Sequence, residues 1–271
     1  MGCWPLINNR ALETTPTLGG ALLLNSFRLA LSFLTILPVY KKMASTEELA
    51  RSVSYYPLIG LLLGLLSAGI NFMLHRLGLT MAADVLAIVT MIVLTGGLHL
   101  DGLMDTADGL LSGKNRERKL EIMKDSRVGA MGVLAVSIVL LLKMAFLYEL
   151  TFDLKLTTLV LAPVAGRWAM VYAITRFPYA RAGGGLGNVL KQAGPMQIIV
   201  ASLTLVVTCI SLFGLQGFVI IGAILVAAMM ITGTINKCLG GMTGDTYGAT
   251  GELIEIWSIF VILMGQQTGI L

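Results

Sequence analysis

The chain has 271 residues, 56% of them apolar and only 13% charged, with a net charge of +4 and a mean hydropathy of +0.85. A water-soluble domain carries about 25% charged residues, so lipid is the solvent this composition suits, and the small net charge gives no footing for binding nucleic acid. Cys3, Cys209 and Cys238 are odd in number and scattered, and read as incidental thiols, which argues against a disulfide framework or a zinc site.

In chain order, Met1 to Gly20 is polar and turn-rich, with Pro5, Pro16, Gly19 and Gly20, and lacks the basic start and short apolar core of a signal peptide. We read 1–24 as a loose N-terminal extension and 25–271 as a single transmembrane domain. The stretch from Ala21 to Tyr40 is apolar but carries Asn25 and Arg28 and stops at Pro38. It either crosses the bilayer or lies along it as an amphipathic helix. Runs long enough to span the hydrocarbon core, roughly 20 residues, follow near 53–74, 82–98, 130–150, 157–175, 197–213, 217–235 and 253–271. Backbone groups in lipid must pair within the segment, so the expected fold is all-α, a polytopic bundle of about seven helices. Gly60, Gly64 and Ser67 are spaced for close helix packing.

The loops divide by charge. Lys41, Lys42, Arg51, Lys114, Arg116, Arg118, Lys119, Lys124, Arg127, Arg176, Arg181, Lys191 and Lys237 fall in the connections 41–52, 99–129, 176–196 and 236–252, whereas 75–81, 151–156 and 214–216 hold only Arg76 and Lys155. Loops rich in Lys and Arg stay in the cytoplasm, which places the long loops there. Within the spans, Lys143 reads as a snorkelling side chain with Glu149 near it. Arg167, deeper in Gly166-Arg167-Trp168, is costly unless it meets a partner or lines a cavity.

The informative stretch is GGLHLDGLMDTADGLLSG, 96–113, in which Asp101, Asp105 and Asp108 recur at i, i+4 and i+7. On a helix these positions share a stripe roughly 60° wide, where like charges repel and a cation must compensate. Hard carboxylate oxygens suit Mg²⁺, or Mn²⁺, held jointly with substrate phosphates. His99 is placed to bond a phosphate or join the metal, with a structural role equally open. Lys114 to Arg127 brings six positive charges, an electrostatic trap for a diphosphate, with Lys124 and Arg127 as its candidate contacts. A third patch, GGMTGDTYGATGELIE at 240–255, reads as a tight glycine-rich loop on the same face, carrying Asp245 and, seven residues on, Glu252.

In these motifs the chain resembles the cobalamin synthase (adenosylcobinamide-GDP ribazoletransferase) family. The signature is HLDGLMDTADGL followed by LEIMKDSRVGAMG, supported in order by FLTILPV, SVSYYPLIGLLLG, GRW at 166–168 and GGMTGDTYGATGE. The resemblance runs from about Phe27 to the last span, and Met104 stands where a common family form has Ala. It implies an Mg²⁺-dependent transferase of the cell inner membrane, its site facing the cytoplasm. The enzyme would join adenosylcobinamide-GDP to α-ribazole or α-ribazole phosphate with release of GMP, the last assembly stage of cobalamin. On that reading Asp101, Asp105 and Asp108 hold the metal, and Lys124, Arg127, Arg167 and His99 contact substrate. Asp108 or Asp245 takes the proton of the attacking hydroxyl. The alternatives are a CDP-alcohol-type phospholipid synthase, whose DGxxAR run this chain lacks, and an ion-coupled transporter. A homo-oligomer is left open.

Overall fold

In the computed structural model, which describes residues 19–181, 190 and 192–271, the chain is a bundle of helices. Among the described residues these are α1 (Gly19–Leu34), α2 (Thr46–Ser52), α3 (Tyr56–Arg76), α4 (Thr80–Thr95), α5 (Leu98–Leu110), α6 (Arg116–Ile122), α7 (Ala130–Glu149), α8 (Phe152–Arg176), α9 (Pro195–Phe213), α10 (Gly217–Leu239) and α11 (Gly244–Gln267). Most of the expected 1–24 extension lies outside the described residues, and α1 already begins at Gly19.

Among the described residues five helical segments are long and apolar enough to cross a membrane, and α4 with α5 makes a sixth if that bent pair is one span. One of the five, Pro195–Leu239, doubles back at Gly214: a Cβ on Gly217 would sit 2.8 Å from the carbonyl oxygen of Cys209. In a straight helix those positions would be about 12 Å apart. Counting its two arms separately gives the seven spans read from the sequence. α1 falls short of spanning length. It packs on α2 through buried Glu48, which accepts from Asn25 Nδ2 and the Tyr40 hydroxyl at 3.2 and 3.0 Å and closes a capping box with Ser45. Arg28 stays exposed.

The two groups of loops separate to opposite ends, as their charges predicted. At one end Arg116 reaches the carbonyls of Leu239 and Ala180, and Ile36 N–H reaches Leu94. At the other, His75 stacks on Phe152, Thr151 N–H bonds the Gln266 side chain, and Gln216 bonds the Ile270 carbonyl.

The core is built on α8, which is buried along most of its length. α3 lies against it where Gly60 meets the backbone of Pro163 and Gly64 meets the carbonyls of Leu159 and Val160. Pro163 inside α8 deprives the Leu159 carbonyl of its helical donor, and Gly64 is the residue packed there. Ser67 bonds the Ala87 carbonyl of α4 at 2.9 Å.

Charge buried in the bundle is paired. Lys155 meets Asp84 at 2.7 Å, and Asn71 donates to the same carboxylate at 2.8 Å. Lys143 bridges Glu252 and Glu255 at 2.7 and 2.6 Å, and Arg167 also binds Glu255. Glu149, the acidic residue near Lys143 in the sequence, is exposed at the far end of α7, about 9 Å along the helix from Lys143, so the snorkelling reading gives way to a buried network. The glycine-rich 240–255 stretch is also not a loop beyond residue 243. Thr243 caps α11, accepting from Thr246 N–H, and the helix runs on from Gly244.

Because a Cβ at Gly64 would stand 2.8 Å from two carbonyl oxygens of α8, Gly64→Ala is expected to cost about 1–3 kcal/mol. A detergent-solubilised variant should unfold at a measurably lower temperature, and an unchanged midpoint would show that α3 and α8 pack elsewhere.

Candidate active site

Two glycine pairs create the site. Gly96 and Gly97 both take left-handed backbone, φ +61° and +70°, a conformation that costs glycine little. The chain leaves α4 there and enters α5 at 87°. Gly240 and Gly241, φ +67° and +154°, make the corresponding corner between α10 and α11. Gly241 lies against the backbone of Pro178 and Ala180, where a Cβ would be 2.6 Å from the Pro178 oxygen. That contact lets Tyr179 and Met242 pair as a short parallel bridge, with Ala180 N–H donating to Met242 and Met242 N–H donating to Pro178, both at 2.8 Å. α5 then rests on the start of α11: Gly102 faces the Asp245 backbone, and Gly248 faces that of His99.

This packing brings the aspartates of α5 to Asp245. Asp105, half-buried, lies within electrostatic reach of Asp245, Asp101 and Asp108, and of Arg181. Asp101 is exposed. Arg181 binds Asp245 at 2.6 Å and touches the Met123 carbonyl. Asp108 is engaged differently. Its two carboxylate oxygens accept from the N–H groups of Gly129 and Gly132, each at 2.8 Å, at the start of α7. A helix N-terminus with free N–H groups favours an anion. A Cβ at Gly129 or Gly132 would come within 2.3 or 2.6 Å of an Asp108 oxygen, so both glycines of VGAMG make room for that carboxylate.

Among the described residues no three His, Cys, Asp or Glu side chains gather as a metal cage. The donor set nevertheless fits a hard cation. Asp101, Asp105 and Asp245 share one region with Arg181 as their counter-charge, and Mg²⁺ binds through one or two carboxylates completed by substrate phosphates and water.

Asp101, Asp245, Arg181 and His99 line one cavity of about 240 Å³. His99 is 2% exposed, and neither ring nitrogen has a hydrogen-bond partner. Arg167 lies beneath this cavity, in the buried network and on the wall of a smaller void of about 40 Å³, with its Nε unpartnered. Lys124 and Arg127 are exposed. Arg127 folds its guanidinium onto Asp125 at 2.6 Å, and those hydrogen bonds hold the Asp125 carboxyl down at about 2. Glu252, on the α11 face that carries Asp245, is committed to Lys143.

The sequence reading missed Arg181, the ion-pair partner of Asp245. A basic residue between Pro178 and the glycines at 183–185 was the available signal, but it stood among thirteen loop cations with nothing to separate it. It also missed Tyr56, Tyr179 and Tyr247, which line the cavity and came from three separated stretches.

Comparison with known proteins gives a consistent result. The family model described as Cobalamin-5-phosphate synthase matches residues 26–263. An adenosylcobinamide-GDP ribazoletransferase of Desulforamulus reducens is 63% identical over 243 residues, covering 90% of this chain and 98% of the relative. Proteins of the same description from Roseiflexus sp. and Brevibacillus brevis are 41% and 39% identical, covering 89% and 90% of this chain and 90% and 99% of their own lengths. No solved structure matches. With a family match spanning nearly the whole described bundle, and with relatives covered almost end to end, the chain belongs to the cobalamin-5-phosphate synthase family.

Proposed function

We propose that this protein joins adenosylcobinamide-GDP to α-ribazole or α-ribazole phosphate, releasing GMP and forming adenosylcobalamin or its phosphate, a reading in keeping with relatives described as adenosylcobinamide-GDP ribazoletransferases. The observation that carries this reading is the meeting of the α5 aspartates with Asp245 and Arg181 beside one cavity. A ribose hydroxyl of the acceptor attacks the phosphorus bonded to the cobinamide side. The bond from that phosphorus to the bridging oxygen breaks, and GMP leaves with that oxygen.

Asp101 and Asp105, with Asp245 beside them, are the carboxylates that would hold Mg²⁺ or Mn²⁺ together with the substrate diphosphate. A cation there supplies charge neutralisation for the departing nucleotide. Asp245 borders the cavity, and we assign it the acceptance of the hydroxyl proton, with Arg181 fixing its orientation. Asp108, its oxygens on two α7 N–H groups, positions α5. Lys124 and Arg127 meet the diphosphate from the basic segment only after Arg127 leaves Asp125. Arg167 acts from below, as part of the network that supports the His99 wall. The site faces the cytoplasm of the inner membrane, because the loops at its end carry the basic residues.

Purified protein in detergent, given Mg²⁺, adenosylcobinamide-GDP and α-ribazole phosphate, should release GMP. Asp101→Asn, Asp105→Asn and Asp245→Asn should each lower turnover on the order of 10²-fold or more. EDTA should stop the reaction and Mg²⁺ or Mn²⁺ restore it. Consumption of a CDP-activated lipid with no GMP from the cobinamide substrate would overturn the assignment, and full turnover in EDTA would remove the metal.

Asp108→Asn should lower the unfolding midpoint as well as turnover, since a charged acceptor of two hydrogen bonds is lost, worth about 1.5–3 kcal/mol each. Asp101→Asn, at an exposed position, should leave the midpoint where it is. A stable but inactive Asp108→Asn would instead place Asp108 among the reacting groups.

Single cysteines at Asn115 and Asp153 should react with a membrane-impermeant label from opposite faces, Asn115 only from the cytoplasm. Labelling of both from one face would refute the topology.

A further inference from the structure

We infer that the cavity behind Asp101 and Asp245 is the seat of the acceptor nucleoside, its base directed inward and its ribose outward toward the carboxylates. This rests on the reaction proposed above and adds which of the two substrates the cavity takes.

The first argument is size. About 240 Å³ is at or below the lower end of small-molecule sites, which run from about 300 to 1,000 Å³. A corrin macrocycle with its side chains cannot enter such a space and must stay at the mouth. A bicyclic base on a sugar matches it.

Polarity supplies the second argument. The lining combines Asp101, Asp245 and Arg181, with Asp101 exposed, and Phe33, Tyr56 and Met170, with Tyr56 and Met170 buried. The rings of Phe33 and Tyr56 stack at 5.9 Å and 17°, and flat rings favour an aromatic ligand by stacking. A diphosphate has no partner among such rings and belongs with Asp101, Asp245 and Arg181, where a cation and a guanidinium meet it.

His99 makes the third. It is buried, lines the cavity, and has both ring nitrogens unpartnered. A buried polar group without a partner is costly, and a ligand atom in the cavity would relieve that cost. This separates the two nucleosides in the reaction. Guanine carries several donors and acceptors that all need partners once buried. A benzimidazole-type base, with one nitrogen bonded to ribose, has a single ring nitrogen left to satisfy and otherwise apolar faces. A mostly apolar wall with one buried, unpartnered imidazole fits the second and leaves the first unsatisfied.

Gly244 permits a steric test. It lines the cavity, and a Cβ built on it meets no atom within 4 Å, so a larger side chain grows into open space. Gly244→Leu should raise the KM for α-ribazole at least tenfold and leave the KM for adenosylcobinamide-GDP within twofold. Gly244→Ala should give a smaller change in the same direction. A rise in the donor KM instead, or no change in either, would overturn the inference. Wild-type protein gives an independent readout if the leucine variant does not purify. α-Ribazole alone should raise its unfolding midpoint, and guanosine at the same concentration should not. Stabilisation by guanosine and not by α-ribazole would assign the cavity to the donor. Absence of GMP release by wild type would count against the proposed reaction, and the binding measurement would still decide the cavity.

Discussion

Four buried charges hold the bundle together. Lys143 of α7, Arg167 of α8, and Glu252 and Glu255 of α11 form a neutral group with every side chain 9% exposed or less. Lipid offers no water or counter-ion, so none of these charges is tolerable alone, and removing one partner of a buried pair typically costs 3–5 kcal/mol. The same constraint that makes each charge expensive therefore makes the three helices inseparable. Lys155, Asp84 and Asn71 repeat the device among α8, α4 and α3. Charge in this bundle acts as fixed cross-links between helices, at defined depths.

On that fixed frame, glycine sets how closely helices approach. α3 reaches α8 through Gly60 and Gly64, α8 reaches α11 through Gly166 against Gly251, and α5 reaches α11 through Gly102 and Gly248. Without a hydrophobic force between helices in lipid, such close contacts supply much of the association energy. They also have a chemical consequence. A Cβ at Gly102 would stand 2.6 Å from the Asp245 backbone carbonyl oxygen, so only glycine there lets α5 lie close enough for its aspartates and Asp245 to share one site.

The site is a concentration of negative charge balanced in two ways. Asp108 is neutralised by the amide end of α7, and Asp245 by Arg181. Asp101 and Asp105 have no hydrogen-bonded partner for their carboxylates among the described residues and are the ones left for a ligand. His99 lines the cavity and lies close enough to the buried network to feel the charges of Arg167 and Lys143. The cavity combines acidic and aromatic residues in one lining.

The sequence alone determined the membrane class, the helical content, the grouping of loops at two ends, and the motifs that identify the family. Those features are local. Hydropathy and charge bias are summed over segments, and HLDGLMDTADGL is contiguous. It also singled out Asp101, Asp105, Asp108 and Asp245. What it could not decide is which side chains meet, because that depends on pairs far apart in the chain. Arg181 and Asp245 are 64 residues apart, Asp108 and Gly129 are 21 apart, and Lys143 and Glu255 are 112 apart. Helical spacing put Asp108 on a stripe with Asp101 and Asp105, yet the start of α7 took its carboxylate. Spacing also put Glu149 near Lys143, yet α11 supplied the partners. Only the tertiary structure chose among competing partners, because in a dry bundle a charge binds whichever opposite group the packing brings within reach.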